Sequence, residues 1–188
     1  MKSERGDRQS SYAAFLRGIN NLGQKPVKMD ALKKAFESLG FKNVRTILAS
    51  GNVIFYSPNA SPRELGLSIE GRLKKKLGHE IVVLVRTIAE LQRLAERNPF
   101  KEIKMTPQTR RYVTFLSEKP RGGLKIPYRS PDKSLRLLHA SESAVFSVVT
   151  LSPSTGTTDL MGFLEKQFGR KITTRNWNTI SRILDIYL

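Results

Sequence analysis

Apolar positions along this chain recur in two rhythms, and the switches between them predict its elements. Residues 11–16 (S-Y-A-A-F-L) are a short apolar run rich in strand formers, followed by the Gly/Asn loop Arg17-Gly18-Ile19-Asn20-Asn21-Leu22-Gly23. Leu32, Ala35, Phe36 and Leu39 then fall at i, i+3, i+4 and i+7, which predicts a helix over 29–39 with Gly40 as its stop. Residues 44–48 and 53–56 read as strands, and Ala49-Ser50-Gly51-Asn52 between them has tight-turn composition, a hairpin signal. Ser61-Pro62-Arg63-Glu64 has the form of a capping box with proline at the first helical position. Leu65, Ile69, Leu73 and Leu77 continue along one helix face to Gly78, and 81–85 is a run of buried-strand type. The resulting βαββαβ order over 11–86 is that of a ferredoxin-like unit.

The same order returns in reduced form. A second capping box, Thr87 to Glu90, opens a helix carrying Leu91, Leu94 and Ala95, and Asn98-Pro99 breaks it. Residues 112–116 read as a strand. Pro120, Gly122, Gly123, Pro127 and Pro131 make 118–131 a loop with at most a short strand. Strands at 134–140 and 145–151 flank the turn Ser141-Glu142-Ser143, and Ser152 to Thr158 is a loop. Leu160, Phe163, Leu164 and Phe168 mark a helix closed by Gly169, a short strand covers 171–174, and Trp177, Ile180, Ile183, Leu184 and Tyr187 mark a last helix. The expected organisation is α+β: a disordered tail at 1–10, a ferredoxin-like half at 11–86, a connecting helix and loop at 87–109, a degenerate second half at 110–174 and a C-terminal helix at 175–188.

Composition removes several chemistries. The 188 residues contain no cysteine, so disulfides, thiolate nucleophiles and Cys-ligated metals are excluded. The two histidines, His79 and His139, are sixty positions apart, which argues against a His-rich metal site, and no cofactor is announced. No apolar run approaches the roughly 18–20 residues of a membrane helix, and the first ten residues lack the apolar core of a signal peptide. A cytoplasmic, reducing compartment and no membrane partner are the expectation.

Topology gives the polar loops a meaning. In a ferredoxin-like sheet the first two strands are parallel, and the hairpin after the second lies at the end where the first strand finishes. Arg17-Gly18-Ile19-Asn20 and Ser50-Gly51-Asn52 are therefore expected to meet, presenting a guanidinium, amides, a hydroxyl and glycine backbone suited to an anion or amide. Asn and Gly also occupy turns for backbone reasons alone. A third polar cluster is Thr173-Thr174-Arg175-Asn176-Trp177-Asn178-Thr179, with Asn176 placed to cap the last helix.

L-R-G-I-N at 16–20, S-G-N-V-I-F at 50–55 and T-T-R-N-W-N-T at 173–179 resemble the three signature motifs of the bacterial domain of unknown function 1697 family. The resemblance implies two ferredoxin-like subdomains and no established activity. It marks Arg17, Gly18, Asn20, Ser50, Gly51, Asn52, Arg175, Asn176, Trp177 and Asn178 as signature positions. One departure is visible, Asn21-Leu22-Gly23 where the family commonly continues Val-Gly-Gly.

Charge supplies the leading functional expectation. Lys and Arg number 33 against 16 acidic residues, a net +17. Residues 101–136 hold ten of the basic side chains against Glu102, Glu118 and Asp132, with Tyr112, Phe115 and Tyr128 interleaved. A basic surface with stacking groups points to a phosphate-bearing ligand, nucleic acid first, with Arg110, Arg111, Lys125 and Arg129 as the contacts. The alternative is a small-molecule or nucleotide site, binding or catalytic, built from Arg17, Asn20, Ser50, Asn52, Arg175, Asn176 and Asn178. None of the three motifs contains a carboxylate, His or Cys for general acid/base work, so catalysis there would rest on positioning and electrostatics. A third reading makes the motifs folding devices in a protein-interaction module. Reaction, substrate and oligomeric state are not legible in the chain.

Overall fold

The computed structural model describes residues 9–19, 27–48, 50–120, 124–151 and 159–187. Along the chain run β1 (Gln9–Leu16), α1 (Met29–Glu37), β2 (Lys42–Ile47), β3 (Asn52–Pro58), α2 (Pro62–Leu77), β4 (Val83–Thr87), α3 (Ile88–Glu96), β5 (Thr109–Leu116), β6 (Tyr128–Arg129), β7 (Leu135–Ala140), β8 (Ala144–Thr150), α4 (Leu160–Phe168), β9 (Ile172–Asn176) and α5 (Trp177–Leu184). The architecture is α+β, with two antiparallel sheets and five helices among the described residues. The chain divides into two compact units, Met1–Gln92 and Arg93–Leu188.

In the first unit the strand order is β2-β3-β1-β4. Tyr12, Ala14 and Leu16 of β1, Val53 and Phe55 of β3, and Val83 and Val85 of β4 share one sheet face with the apolar stripes of α1 (Leu32, Ala35, Phe36) and α2 (Leu65, Ile69, Leu73). Phe55 is the centre of this core, with ring centroids of Phe41 at 4.4 Å, Phe36 at 5.5 Å and Tyr12 at 5.6 Å. The Tyr12 hydroxyl is satisfied inside the core: it donates to the Ala60 carbonyl at 2.9 Å and accepts from the Ala60 N–H at 3.1 Å. Gly66 lets α2 lie close on β4, since a Cβ there would stand 2.9 Å from the Val83 carbonyl oxygen.

In the second unit the order is β6-β7-β8-β5-β9. Without the two-residue edge strand β6, the order β7-β8-β5-β9 repeats that of the first sheet, and among the described residues no helix lies between β5 and β7. One sheet face packs Leu116, Leu135, Leu137, Val145, Val149 and Ile172 against Leu160 and Leu164 of α4. On the opposite face Phe146 contacts Phe100 and Trp177, whose rings also touch each other at 5.2 Å.

The elements differ from the sequence expectations mainly at their ends, where pairing overrides propensity. Gln9 and Ser10, expected in the tail, extend β1 because they pair with Pro58 and Ser57; residues 1–8 lie outside the described residues. The strand expected at 81–85 is shifted to Val83–Thr87, where Thr87 pairs with Tyr12. The strand expected at 112–116 begins at Thr109, because Thr109 to Arg111 pair with Thr150 to Val148. Ser61 makes no side-chain cap on α2; Pro62 at N1 has no N–H to satisfy, and the Ser61 carbonyl accepts from Leu65 N–H at 3.0 Å. At α3 half of the capping box forms: Glu90 N–H donates to the Thr87 hydroxyl at 3.0 Å, while the Glu90 carboxylate turns to the Arg86 guanidinium at 3.2 Å. Burial lowers the Arg86 pKa, and the Glu90 charge opposes that shift.

The turn joining β6 to β7 is tied by side chains. Asp132 accepts from the hydroxyls of Ser130 and Ser134 and from Ser134 N–H, and Leu135 N–H donates to the Ser130 hydroxyl at 2.9 Å. Hydrogen bonds to the charged form, first from the Ser130 hydroxyl and then from Ser134, hold the Asp132 carboxyl below its ordinary pKa. A carboxylate depressed on folding contributes stability above its unfolded pKa of about 3.9, and that contribution is lost as pH falls through the lower folded value. The expected result of a pH titration followed by the Ser134 amide resonance is a midpoint below 3.9, the ordinary Asp value. A midpoint at or above it would show that the turn is not closed in this way.

Candidate functional site

The first two motifs meet at one end of the first sheet. Leu16 N–H donates to the Gly51 carbonyl at 2.8 Å, and Arg17 N–H donates to the Val82 carbonyl at 2.9 Å. Gly51 has φ +72°, and a Cβ on it would stand 2.8 Å from Ile19 Cγ2 and 3.0 Å from the Leu16 carbonyl oxygen. Gly18 also has a positive φ, of 65°. The turn is completed by Asn52, which is buried and whose amide donates to the Ile47 carbonyl at 3.0 Å and to the Ser50 hydroxyl at 2.8 Å. Of the four polar side chains expected here as ligand contacts, Asn52 and Ser50 thus bond each other across the hairpin, Ser50 is exposed, and Arg17 is half-buried. Asn20 lies outside the described residues.

The third motif builds a different place. β9 is an edge strand of the second sheet and, among the described residues, pairs with β5 alone. The register sets Asn176 opposite Tyr112 and Arg175 opposite Val113. The chain then turns directly into α5, with the Asn176 side chain accepting from Asn178 N–H at 2.9 Å as the helix cap. This brings Asn178 beside the start of β5, where the Arg111 guanidinium donates to its side-chain oxygen at 3.4 Å. Arg111 also lies over the Phe100 ring, 5.6 Å from the centroid. That geometry lets an aromatic face share the cation.

A cleft of about 240 Å³ opens there, lined by Met105, Thr106, Thr109, Arg110, Arg111, Asn176 and Asn178. Thr106 and Thr109 are tied to each other, hydroxyl to hydroxyl at 2.8 Å. Arg110 is fixed by its own turn, donating to the carbonyls of Pro107 at 2.7 Å and Thr109 at 3.0 Å. The lining holds two guanidiniums, two hydroxyls and two amides, with neither carboxylate nor imidazole. The guanidinium and amide groups put hydrogen-bond donors on the cleft wall.

Arg175 does not line this cleft. Its guanidinium donates to the Thr173 hydroxyl and the Thr174 carbonyl, both at 2.8 Å. Burial lowers its pKa to about 10, which leaves it charged at neutral pH. Among the described residues no three His, Asp or Glu side chains are grouped to hold a metal, and no helix is long and apolar enough to cross a membrane.

The profile of the proteins of unknown function DUF1697 matches residues 10–146. The chain belongs to the DUF1697 family. The match takes in the first two motifs, and the third lies beyond it. Among solved structures, the conserved bacterial protein SP0830 from Streptococcus pneumoniae has the same fold at a TM-score of 0.71. It is 21% identical, with 96% of this chain and 99% of that chain covered. None of the curated proteins matches the chain.

In this DUF1697 protein the residues expected for two separate roles are therefore distributed differently. Arg110 and Arg111, expected as nucleic-acid contacts, share a cleft with Asn176 and Asn178, expected as ligand contacts. Lys125 and Arg129 are exposed and outside it. Thr106 and Thr109 are not among the expected site residues, although T-P-Q-T at 106–109, which leads into β5, is a turn signal. The Ser/Thr loop at 152–158 and the Asn21-Leu22-Gly23 departure lie outside the described residues.

Proposed function

We propose that this protein binds a phosphate-bearing ligand, nucleic acid first, through its second unit, with Arg110, Arg111, Asn176 and Asn178 at the contact. The convergence of these four side chains on one carboxylate-free cleft carries the reading. Guanidiniums and amides together supply donors for phosphate oxygens and for base edges. The size of the cleft supports the same choice. At about 240 Å³ it is smaller than the roughly 300–1,000 Å³ of sites that enclose a metabolite, and it suits a phosphate group of a larger ligand. For the S-G-N motif the structural reading has the better support, because Gly51 and Asn52 are spent on the turn itself. The repeated strand order supports a duplication of a ferredoxin-like unit with the second copy degenerate, and the cysteine-free composition supports a cytoplasmic location.

The test is fluorescence anisotropy of a labelled oligonucleotide across a salt series. Binding is expected to fall with salt at a log–log slope of about 0.7–0.9 per phosphate contacted. In the Arg110→Ala/Arg111→Ala variant the slope should drop by about 1–2 and the affinity should fall about tenfold or more at low salt. No binding at about 50 mM salt, or a slope near zero, would end the nucleic-acid reading.

A further inference from the structure

The register of the second sheet places arginines in one cross-strand row. Arg129 of β6 stands opposite Arg136 of β7, Arg136 opposite Val148 of β8, and Val148 opposite Arg111 of β5. The single irregularity in these ladders falls beyond Leu137, so the register holds along the row and its side chains project from one face, with Val148 buried between Arg136 and Arg111. Arg129 and Arg136 are exposed, and Arg111 is half-buried at the rim of the cleft. Among the described residues none of the three is in an ion pair. Arginines directly opposite each other oppose strand pairing, and here the Ser130–Asp132–Ser134 turn holds them in register. With strands about 4.8 Å apart, the row spans about 14 Å from Arg129 to Arg111.

Resting on the phosphate-binding reading, we infer that the row and the cleft form one track for a single-stranded nucleic acid running across the strands, with Arg129 and Arg136 as further phosphate contacts. Of the arginines, a lone phosphate in the cleft meets Arg110 and Arg111; a ligand that also meets Arg136 and Arg129 has to extend across the sheet. Trp177 selects single strands over duplex. It is the residue next after the β9 segment paired with β5, it is only half-buried, and it packs edge-on against Phe100 and Phe146. Unpaired bases can stack on such a ring, whereas paired bases are already stacked within the duplex.

The experiment compares a dinucleotide, a single strand of about ten nucleotides and a duplex of the same length. Each is titrated over a salt series into the full chain and into the Arg129→Ala/Arg136→Ala variant. The single strand should bind about tenfold or more tighter than the dinucleotide. The double variant should lower the single-strand slope by about 1.4, at about 0.7 for each phosphate no longer neutralised. Its affinity for the dinucleotide should stay unchanged, and an Arg129→Lys/Arg136→Lys variant should keep the slope. Equal affinity for dinucleotide and longer strand, an unchanged slope in the alanine variant, or tighter binding of the duplex would overturn the track. Failure of the wild-type chain to bind either the dinucleotide or the strand would overturn the phosphate-binding reading beneath it.

Discussion

Replacing Phe55 by alanine is expected to destabilise the first unit by about 3–5 kcal/mol, the range for emptying a fully buried phenylalanine site. The site cannot collapse easily. The ring is wholly buried and is gripped by Phe41, Phe36 and Tyr12, which come from a loop, a helix and the neighbouring inner strand β1. Closing the void would require all three to move, and the Tyr12 hydroxyl is anchored at Ala60. Domains of this kind have about 5–15 kcal/mol of stability in total, so the loss is a large part of it. Thermal unfolding followed by far-UV circular dichroism should show a midpoint lower by about 10 °C or more. Phe55→Leu, which keeps more of the volume, should lose less. The single tryptophan lies in the second unit, so its fluorescence follows that unit while circular dichroism follows both. A loss below about 1 kcal/mol would mean that Phe55 is not a keystone of the core.

Gly51→Ala is expected to cost about 2–4 kcal/mol, although the change adds one methyl group. Two penalties combine. The left-handed backbone at φ +72° costs an L-residue about 1–2 kcal/mol. The new Cβ also stands 3.0 Å from the Leu16 carbonyl oxygen and 2.8 Å from Ile19 Cγ2, so backbone has to give. Gly78→Ala separates the two terms: φ there is +79° with nothing within 4 Å of the Cβ position, so only the backbone cost of about 1–2 kcal/mol applies. Denaturant titrations of both variants should place Gly51→Ala well below Gly78→Ala. Equal losses would show that the contact between the first two motifs is loose.

Much of the fold was legible in the chain because it depends on local periodicity. Leu65, Ile69 and Leu73 announce α2, and its end at Gly78 follows from that residue's freedom to adopt positive φ. The Asn176 cap of α5 was legible for the same reason, since a cap needs only its own side chain and the next amides. Boundaries such as Gln9 of β1 and Thr109 of β5 were not, because they are decided by partners many positions away. The meeting of the 17–20 loop with the 50–52 turn, seen where Ile19 lies against Gly51, followed from topology, whereas the burial of Asn52 did not. An Asn at a turn reads alike whether its amide faces solvent or the hairpin carbonyls.

Residue types and their spacings are enough to establish the α+β class, the family and the excess of positive charge. All three survive without coordinates. Where the charge is placed depends instead on pairing between distant segments. Arg111 and Asn178 are 67 positions apart and become neighbours because β5 pairs with β9. Arg129, Arg136 and Arg111 fall into line because strand pairing fixes a register that no local pattern records. A basic segment read along the chain is only a sum of charges. Pairing of the strands turns it into a row that ends at a cleft.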